Sequence, residues 1–150
     1  PTELTDSIGR YLAVEGNEKG TVTGRDRRCG WFDAPLVKRS CILNGVTSLA
    51  LTKIDVLDKL ETIKICTGYR VNKEEHTDFP VTTSLTKRLM PIYEEIDGWN
   101  TSTVGLEKMS ELPFNARIYI QRIEELTESK VSIISTGPER NQTIIINSPF

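Results

Sequence analysis

The chain has 150 residues and a mass of 16.9 kDa, the length of about one ordinary domain. Its 19 Lys and Arg against 21 Asp and Glu leave a formal charge of −2, which excludes a general polyanion binder with a basic face, so no nucleic-acid partner is expected. A hydrophobic fraction of 37%, with no run near the ~20 apolar residues that span a bilayer, excludes wholesale disorder and predicts no membrane partner.

Residues 2–15 read as a helix capped by Thr2 or Thr5, with Leu4, Ile8, Leu12 and Val14 near a 3.6 period and Gly16 as the stop. Residues 16–31 break all periodicity. There Gly16, Gly20, Gly24 and Gly30 are interleaved with Arg25, Arg27 and Arg28. A second helix is predicted at 33–44, with Asp33 as N-cap, Pro35 in the first turn, Leu36, Val37, Ile42 and Leu43 facing inward, and Gly45 closing it. Residues 46–52 and 62–69 read as strands, the first β-branched and apolar, the second alternating with period two. Residues 72–90 are polar and aperiodic, a surface excursion holding the only histidine, His76. An extended segment over 91–96 and a turn-rich stretch through Gly98 and Gly105 follow. The clearest helix spans 113–127, with Pro113 at its start and Ala116, Tyr119, Ile120, Ile123 and Leu126 along one face. A strand at 130–134, a turn over 135–140 and a last strand at 143–146 complete the chain. Helices alternating with short apolar strands point to an α/β fold, here a mostly parallel sheet flanked by helices.

Cys29, Cys41 and Cys66 are odd in number and lack CxxC spacing. They suggest neither a disulfide framework nor a zinc site, and place the chain in a reducing compartment. Cys41 lies on an apolar stripe, and Trp31 and Trp99 read as packing anchors. The adjacent acidic pairs Glu94–Glu95 and Glu124–Glu125 are expected to be solvated. The start Pro-Thr-Glu-Leu is neither a signal peptide nor a natural beginning with Met, so a portion of a longer chain is expected.

Three segments offer chemistry. The first is Thr21-Val-Thr-Gly-Arg-Asp-Arg-Arg28. A guanidinium presents a planar fork of donors that matches a carboxylate or phosphate and stays charged at any working pH. Three beside a glycine loop suit an anionic small molecule; the alternative is a solvated basic loop with Asp26 as local partner. The second is Thr52-Lys-Ile-Asp55 after a strand. An Asp carboxylate there can accept from both donors on one edge of guanine, which adenine lacks, and a buried acceptor left unpaired costs ~1–3 kcal/mol. The Lys stem can cover the base, its ammonium reaching a ring oxygen or a neighbouring carbonyl. The alternative is a helix start capped by Asp55. The third is Ile134-Ser-Thr-Gly-Pro-Glu-Arg140, where Gly137 permits positive φ and backbone donors can meet a base carbonyl; the alternative is a plain turn.

Together these motifs resemble the adenylosuccinate synthetase family. The resemblance rests on Thr-Gly-Arg-Asp-Arg-Arg-Cys-Gly-Trp-Phe-Asp (23–33), Asn44-Gly, Leu51-Thr-Lys-Ile-Asp-Val-Leu-Asp58, Ile63-Lys-Ile-Cys66, Pro-Ile-Tyr-Glu (91–94) with Gly98-Trp99, Arg122-Ile-Glu-Glu-Leu-Thr127 and Ile134–Arg140. It covers nearly the whole chain and is weakest over 72–90. It implies a cytoplasmic, homodimeric enzyme with a P-loop-like GTP-binding fold, of which this chain is the C-terminal portion. It also implies a magnesium-dependent reaction that joins IMP and L-aspartate with GTP. Carried over, Thr21, Val22, Thr23, Gly24, Arg25, Asp26 and Arg27 form the aspartate and IMP loop. Arg27, Lys53, Ile54, Asp55, Ser135, Thr136 and Gly137 form the GTP site. Val22 stands where the family usually has Thr, and Asp97 where Pro is common before Gly-Trp. The family's phosphate loop, catalytic Asp and catalytic His have no counterpart here, and no Gly-rich run continues into Lys-Ser/Thr. No catalytic residue and no metal ligand is therefore expected in this chain, which should be inert alone. The alternative is a guanine-nucleotide-binding module without turnover.

Overall fold

The computed structural model describes residues 1–79 and 89–147. Residues 80–88 of the polar 72–90 excursion lie outside the described residues. Its first part forms a short strand that turns back on its neighbour.

Helix α1 spans Ser7–Glu15, not 2–15. Asp6 is the cap, its carboxylate accepting from the Gly9 amide at 3.0 Å. The residues before it are pulled out of the helix by long-range pairing. Leu4 N donates to Cys29 O at 2.9 Å and Glu3 bridges Gly30. Gly16 closes the helix in a right-handed conformation, and Asn17 takes the positive φ of 45°.

Strand β1 is the pair Phe32–Asp33, and α2 follows as Ala34–Asn44. Its ends match expectation. Asp33 caps the first turn through Leu36 N at 3.2 Å, and Gly45 stops it at φ 60°. Its buried face does not match. Ala34, Pro35 and Cys41 are buried, whereas Ile42 and Leu43 are 71% and 68% exposed and Leu36 is also exposed. The helix packs closely against its neighbours through Ala34 and Cys41, whose spacing of two turns gives a narrow small-residue seam.

Strands β2 (Ser48–Leu51), β3 (Thr62–Val71), β4 (Glu74–His76), β5 (Met90–Asp97), β6 (Lys130–Ser135) and β7 (Thr143–Ile145) form two sheets with β1. In the first, β3 is central. β5 runs antiparallel along one edge from Thr62 to Arg70, while β1, parallel, and β4, antiparallel, share the other. In the second, β6 lies between parallel β2 and antiparallel β7. The fold is therefore mixed α/β rather than built on a mostly parallel sheet. β4 and β7 fold back as antiparallel neighbours of the strands before them, and β5 also pairs antiparallel with β3, where crossovers would have kept the strands parallel. At Gly68 the β4 backbone comes so close that a Cβ would lie 2.7 Å from His76 O, which only glycine accommodates.

Helix α3 spans Phe114–Thr127 and buries Ala116, Tyr119, Ile120 and Ile123, with Leu126 partly buried. This is the face the 3.6 period predicts. One core joins α1, both sheets and α3 through Leu12, Ile63, Ile65, Ile123, Val131 and Ile134. Trp31 and Trp99 are buried anchors within it, and Cys41 is buried. The acidic pairs are not simply solvated. Arg122 on α3 reaches Glu94 on β5 through two nitrogens, both at 2.9 Å, and Glu125 at 2.8 Å. Glu95 pairs with Lys64 at 2.6 Å, and Glu124 accepts from Val131 N at 2.8 Å. Among the described residues no helix is long and apolar enough to cross a membrane.

Beneath β1, Tyr69 donates its hydroxyl to Asp33 Oδ1, while Asp33 Oδ2 is buried without a partner. Burial and Asp33 also push the Cys66 thiol up to about 11, so it stays protonated at neutral pH. Tyr69→Phe removes a hydroxyl from an already under-satisfied carboxylate. It is expected to cost ~1.5–3 kcal/mol in urea unfolding, since hydrogen bonds to charged groups sit at the strong end. A cost below ~0.5 kcal/mol, the level of an unremarkable surface change, would show that the pair is not structural.

Candidate functional site

The arginine loop is a short stem with a free tip. Glu18 N donates to Ala13 O at 2.9 Å and Arg27 N to Glu18 O at 2.9 Å, which fixes both strands of the stem to the end of α1. Gly20 N donates to Arg25 O and Gly24 N to Gly20 O, each at 2.8 Å, and Gly24 takes φ 63°. These bonds fold Thr21, Val22 and Thr23 into an exposed turn, with Val22 97% exposed. Thr23 Oγ1 accepts from Arg25 N at 3.4 Å, and Asp26 pairs with Lys19 at 3.5 Å. Arg27 pairs with Glu18 and Arg28 with Glu3. Among the described residues the Arg25 guanidinium has no ion-pair partner. An open cleft of about 620 Å³ beside the loop is lined by Arg25, Arg27, Arg28, Trp31 and Asp33.

The second and third segments meet. Lys53 N donates to Ser135 Oγ at 2.8 Å across 82 residues of sequence. This contact follows from β2 lying parallel to β6, which brings the carboxyl ends of both strands side by side. Lys53 takes a left-handed φ of 63° and starts a 3-10 turn, Ile54–Leu57. Lys53, not Asp55, is therefore the cap position, and Asp55 lies in the first turn. The Lys53 ammonium reaches Gly16 O at 2.6 Å and Glu18 Oε1 at 2.5 Å. Ile54 is buried in the core.

Asp55 Oδ1 is buried with no hydrogen-bond partner. Burial raises the Asp55 carboxyl above the ordinary range; its own backbone amide is the main opposing influence, the negative Asp58 adds to the rise, and Lys53 also opposes it. Asp58 itself is fully engaged. It accepts from Trp99 Nε1 at 2.7 Å, Thr103 N at 2.7 Å and Thr103 Oγ1 at 2.8 Å. Those bonds hold residues 99–103 as one wall of a cleft of about 440 Å³ that Asp55 lines with Lys59, Thr101 and Ser102. The Asp55 cleft and the arginine cleft are separate, and Lys53 with Glu18 lines a third, of about 360 Å³, that shares Arg28 and Cys29 with the latter.

At the end of β6, Thr136 is buried, its N donating to Gln142 O and its hydroxyl to Leu106 O, both at 2.9 Å. Gly137 does not need positive φ, against expectation. A Cβ there would lie 2.2 Å from Gln142 Oε1, the end of a flexible side chain that accepts from Glu139 N at 3.0 Å, so a larger residue displaces that contact and not backbone. Sequence reasoning missed Glu18, Asp58 and Gln142. Gln142 has no local signature. Asp58 stands three residues after Asp55 inside a motif already singled out, and Glu18 lies midway between Gly16 and Gly20 of the loop. Among the described residues no group of three or more His, Cys, Asp or Glu side chains could hold a metal ion.

A family model described as adenylosuccinate synthetase matches residues 1–144. The adenylosuccinate synthetase of Pseudomonas fluorescens is 51% identical over 150 residues, all of this chain and 35% of that protein. That of Pseudomonas paraeruginosa is 50% identical over the same 150 residues, again 35% of its length. The solved structure of fully ligated adenylosuccinate synthetase from Plasmodium falciparum matches with a TM-score of 0.91 and 35% identity, covering 96% of this chain and 35% of that one. The chain thus spans about a third of the length of the relatives it matches, and over that span it belongs to the adenylosuccinate synthetase family.

Proposed function

We propose that this chain is the C-terminal portion of an adenylosuccinate synthetase and supplies its guanine-reading and aspartate-binding surfaces. In the reaction the γ-phosphate of GTP passes to O6 of IMP, leaving GDP. The amine of L-aspartate then displaces that phosphate from the ring carbon, giving adenylosuccinate, inorganic phosphate and a released proton. Asp55 accepts from the two donors on one edge of guanine, the Lys53 stem covers the base, and the Ser135–Gly137 turn completes the pocket. Arg25, helped by the amides of Thr21–Thr23, takes the aspartate carboxylates and reaches IMP, and Arg27, part of the same loop, also reaches the GTP side. The whole enzyme, on this reading, has a P-loop-like GTP-binding fold and works as a cytoplasmic homodimer.

The observation that supports this reading best is the unpartnered, buried Asp55 oxygen two residues along the chain from Lys53, whose amide is joined to Ser135. An unmade hydrogen bond in a desolvated site is costly unless a ligand makes it. The sequence holds no phosphate-loop pattern. The part of this chain is binding and orientation, while positioning and charge neutralisation of the phosphoryl group belong elsewhere. The 150-residue chain is expected to bind GDP at least ~10-fold more tightly than ADP, about 1.4 kcal/mol. It is also expected to form no adenylosuccinate from IMP, aspartate and GTP. Calorimetric titration and a coupled absorbance assay check these two outcomes. Turnover by the isolated chain, or equal affinity for both nucleotides, would overturn the proposal.

A further inference from the structure

Glu18 touches both proposed binding segments and belongs to neither. One carboxylate oxygen is 2.5 Å from Lys53 Nζ and the other 3.1 Å from Arg27 Nη1. Its main chain is held as firmly, with its N on Ala13 O and its O taking Arg27 N. Its side chain is 22% exposed, the most sheltered of the three, against 57% for Arg27 and 44% for Lys53. The hydrogen bond from Lys53, assisted by Arg27, holds the Glu18 carboxyl below the usual range, so it is ionised at neutral pH.

One carboxylate therefore balances two cations. Lys53 has a second anchor, Gly16 O at 2.6 Å, whereas no second acceptor holds the Arg27 guanidinium among the described residues. The asymmetry fixes which cation can move. A ligand anion that draws Arg27 away leaves the full charge of Glu18 on Lys53, which then sits more firmly. A base that packs on the Lys53 stem likewise fixes Glu18, and through it the stem of the arginine loop.

We infer that Glu18 is the positioning residue that couples the two sites, so that guanine nucleotide in one tightens anion binding in the other. This rests on the assignment of Lys53 to the guanine pocket and Arg25–Arg27 to the aspartate loop. By linkage the coupling must be reciprocal, each ligand raising the affinity for the other by the same factor.

The test is a set of titrations on the full-length protein with IMP present, using GDP and L-aspartate alone and together. GDP carries no γ-phosphate, so no turnover interferes. In the wild type GDP is expected to tighten aspartate binding ~5-fold or more, within the usual range of such couplings. Glu18→Gln keeps the shape but loses the charge, and the factor is expected to fall below ~2-fold while the GDP-over-ADP ratio persists. Arg27→Ala is expected to lower the factor equally, and the double variant no further, since both remove one link. Glu18→Asp keeps the charge but not the reach to both cations, and serves if the Gln variant fails to fold. It too is expected to lose most of the coupling. An unchanged factor in Glu18→Gln or Glu18→Asp, or none in the wild type, overturns the inference. A wild type without guanine preference instead overturns the assignment of the pocket.

Discussion

Asp55→Asn is expected to erase the preference for GDP over ADP while leaving the protein at least as stable as the wild type at neutral pH. The two effects share one cause. Asp55 holds a buried oxygen with no partner, so in the free chain the ionised carboxylate sits in a site that disfavours it. Guanine supplies the missing donors and adenine does not. Losing an acceptor that only guanine satisfies should cost ~1–3 kcal/mol, about 5- to 150-fold in the affinity ratio. The sign of the pH effect follows from the raised carboxyl of Asp55. The folded chain holds that proton more tightly than the unfolded chain does. Stability from this group is therefore present below the ordinary carboxylate range and lost as pH rises through the raised value. The amide escapes this loss, so the melting temperature of the variant should gain on that of the wild type from pH 4 to pH 7. GDP affinity of the wild type should rise over the same window, because the ionised form accepts both donors. Guanine preference surviving in Asp55→Asn, or a variant clearly less stable at neutral pH, would refute the assignment.

What the sequence revealed and what it hid divide along a physical line. Features fixed by neighbours in the chain were legible. The Asp33 cap and Gly45 stop of α2 and the buried face of α3 depend on local backbone donors and on a 3.6 period. Features set by tertiary pairing were not. The first residues fail to extend α1 because Leu4 N donates to Cys29 O and Thr2 O accepts from Trp31 N, which pairs them with the far side of the loop. The inner face of α2 was misjudged because helix packing selected Ala34 and Cys41 over larger side chains. Glu18 carries no signal in the sequence, since its two partners come from different segments. The meeting of Lys53 with Ser135 has no signature in spacing at all. It was reached through the ordered set of motifs, each weak alone, whose joint occurrence is specific to one family.

Arg25→Ala is expected to weaken L-aspartate binding to the full-length protein about 10- to 100-fold with no change in melting temperature. The loop holds three guanidinium groups, and the structure separates them by what they already do. Arg27 is engaged by Glu18 at 3.1 Å and Arg28 by Glu3 at 3.3 Å. Asp26 is drawn aside by Lys19. Arg25 alone of the three has no ion-pair partner among the described residues, and it lines the open cleft beside the loop. Its fork is thus available to a carboxylate without first breaking an internal pair. A charge-assisted hydrogen bond is worth ~1.5–3 kcal/mol, about 10- to 150-fold, when the group it meets is desolvated. Exposed and unpaired, Arg25 contributes little to the fold, so its removal should leave unfolding unchanged within ~0.5 kcal/mol. Arg28→Ala is the matched control. It removes an equal charge from the same cleft, and if binding were only a matter of summed positive potential both variants would weaken it alike. A directed contact predicts a large loss for Arg25 and at most a few-fold loss for Arg28. Calorimetric titration of aspartate with IMP and GDP present decides between them, and equal losses would remove Arg25 from its assigned role.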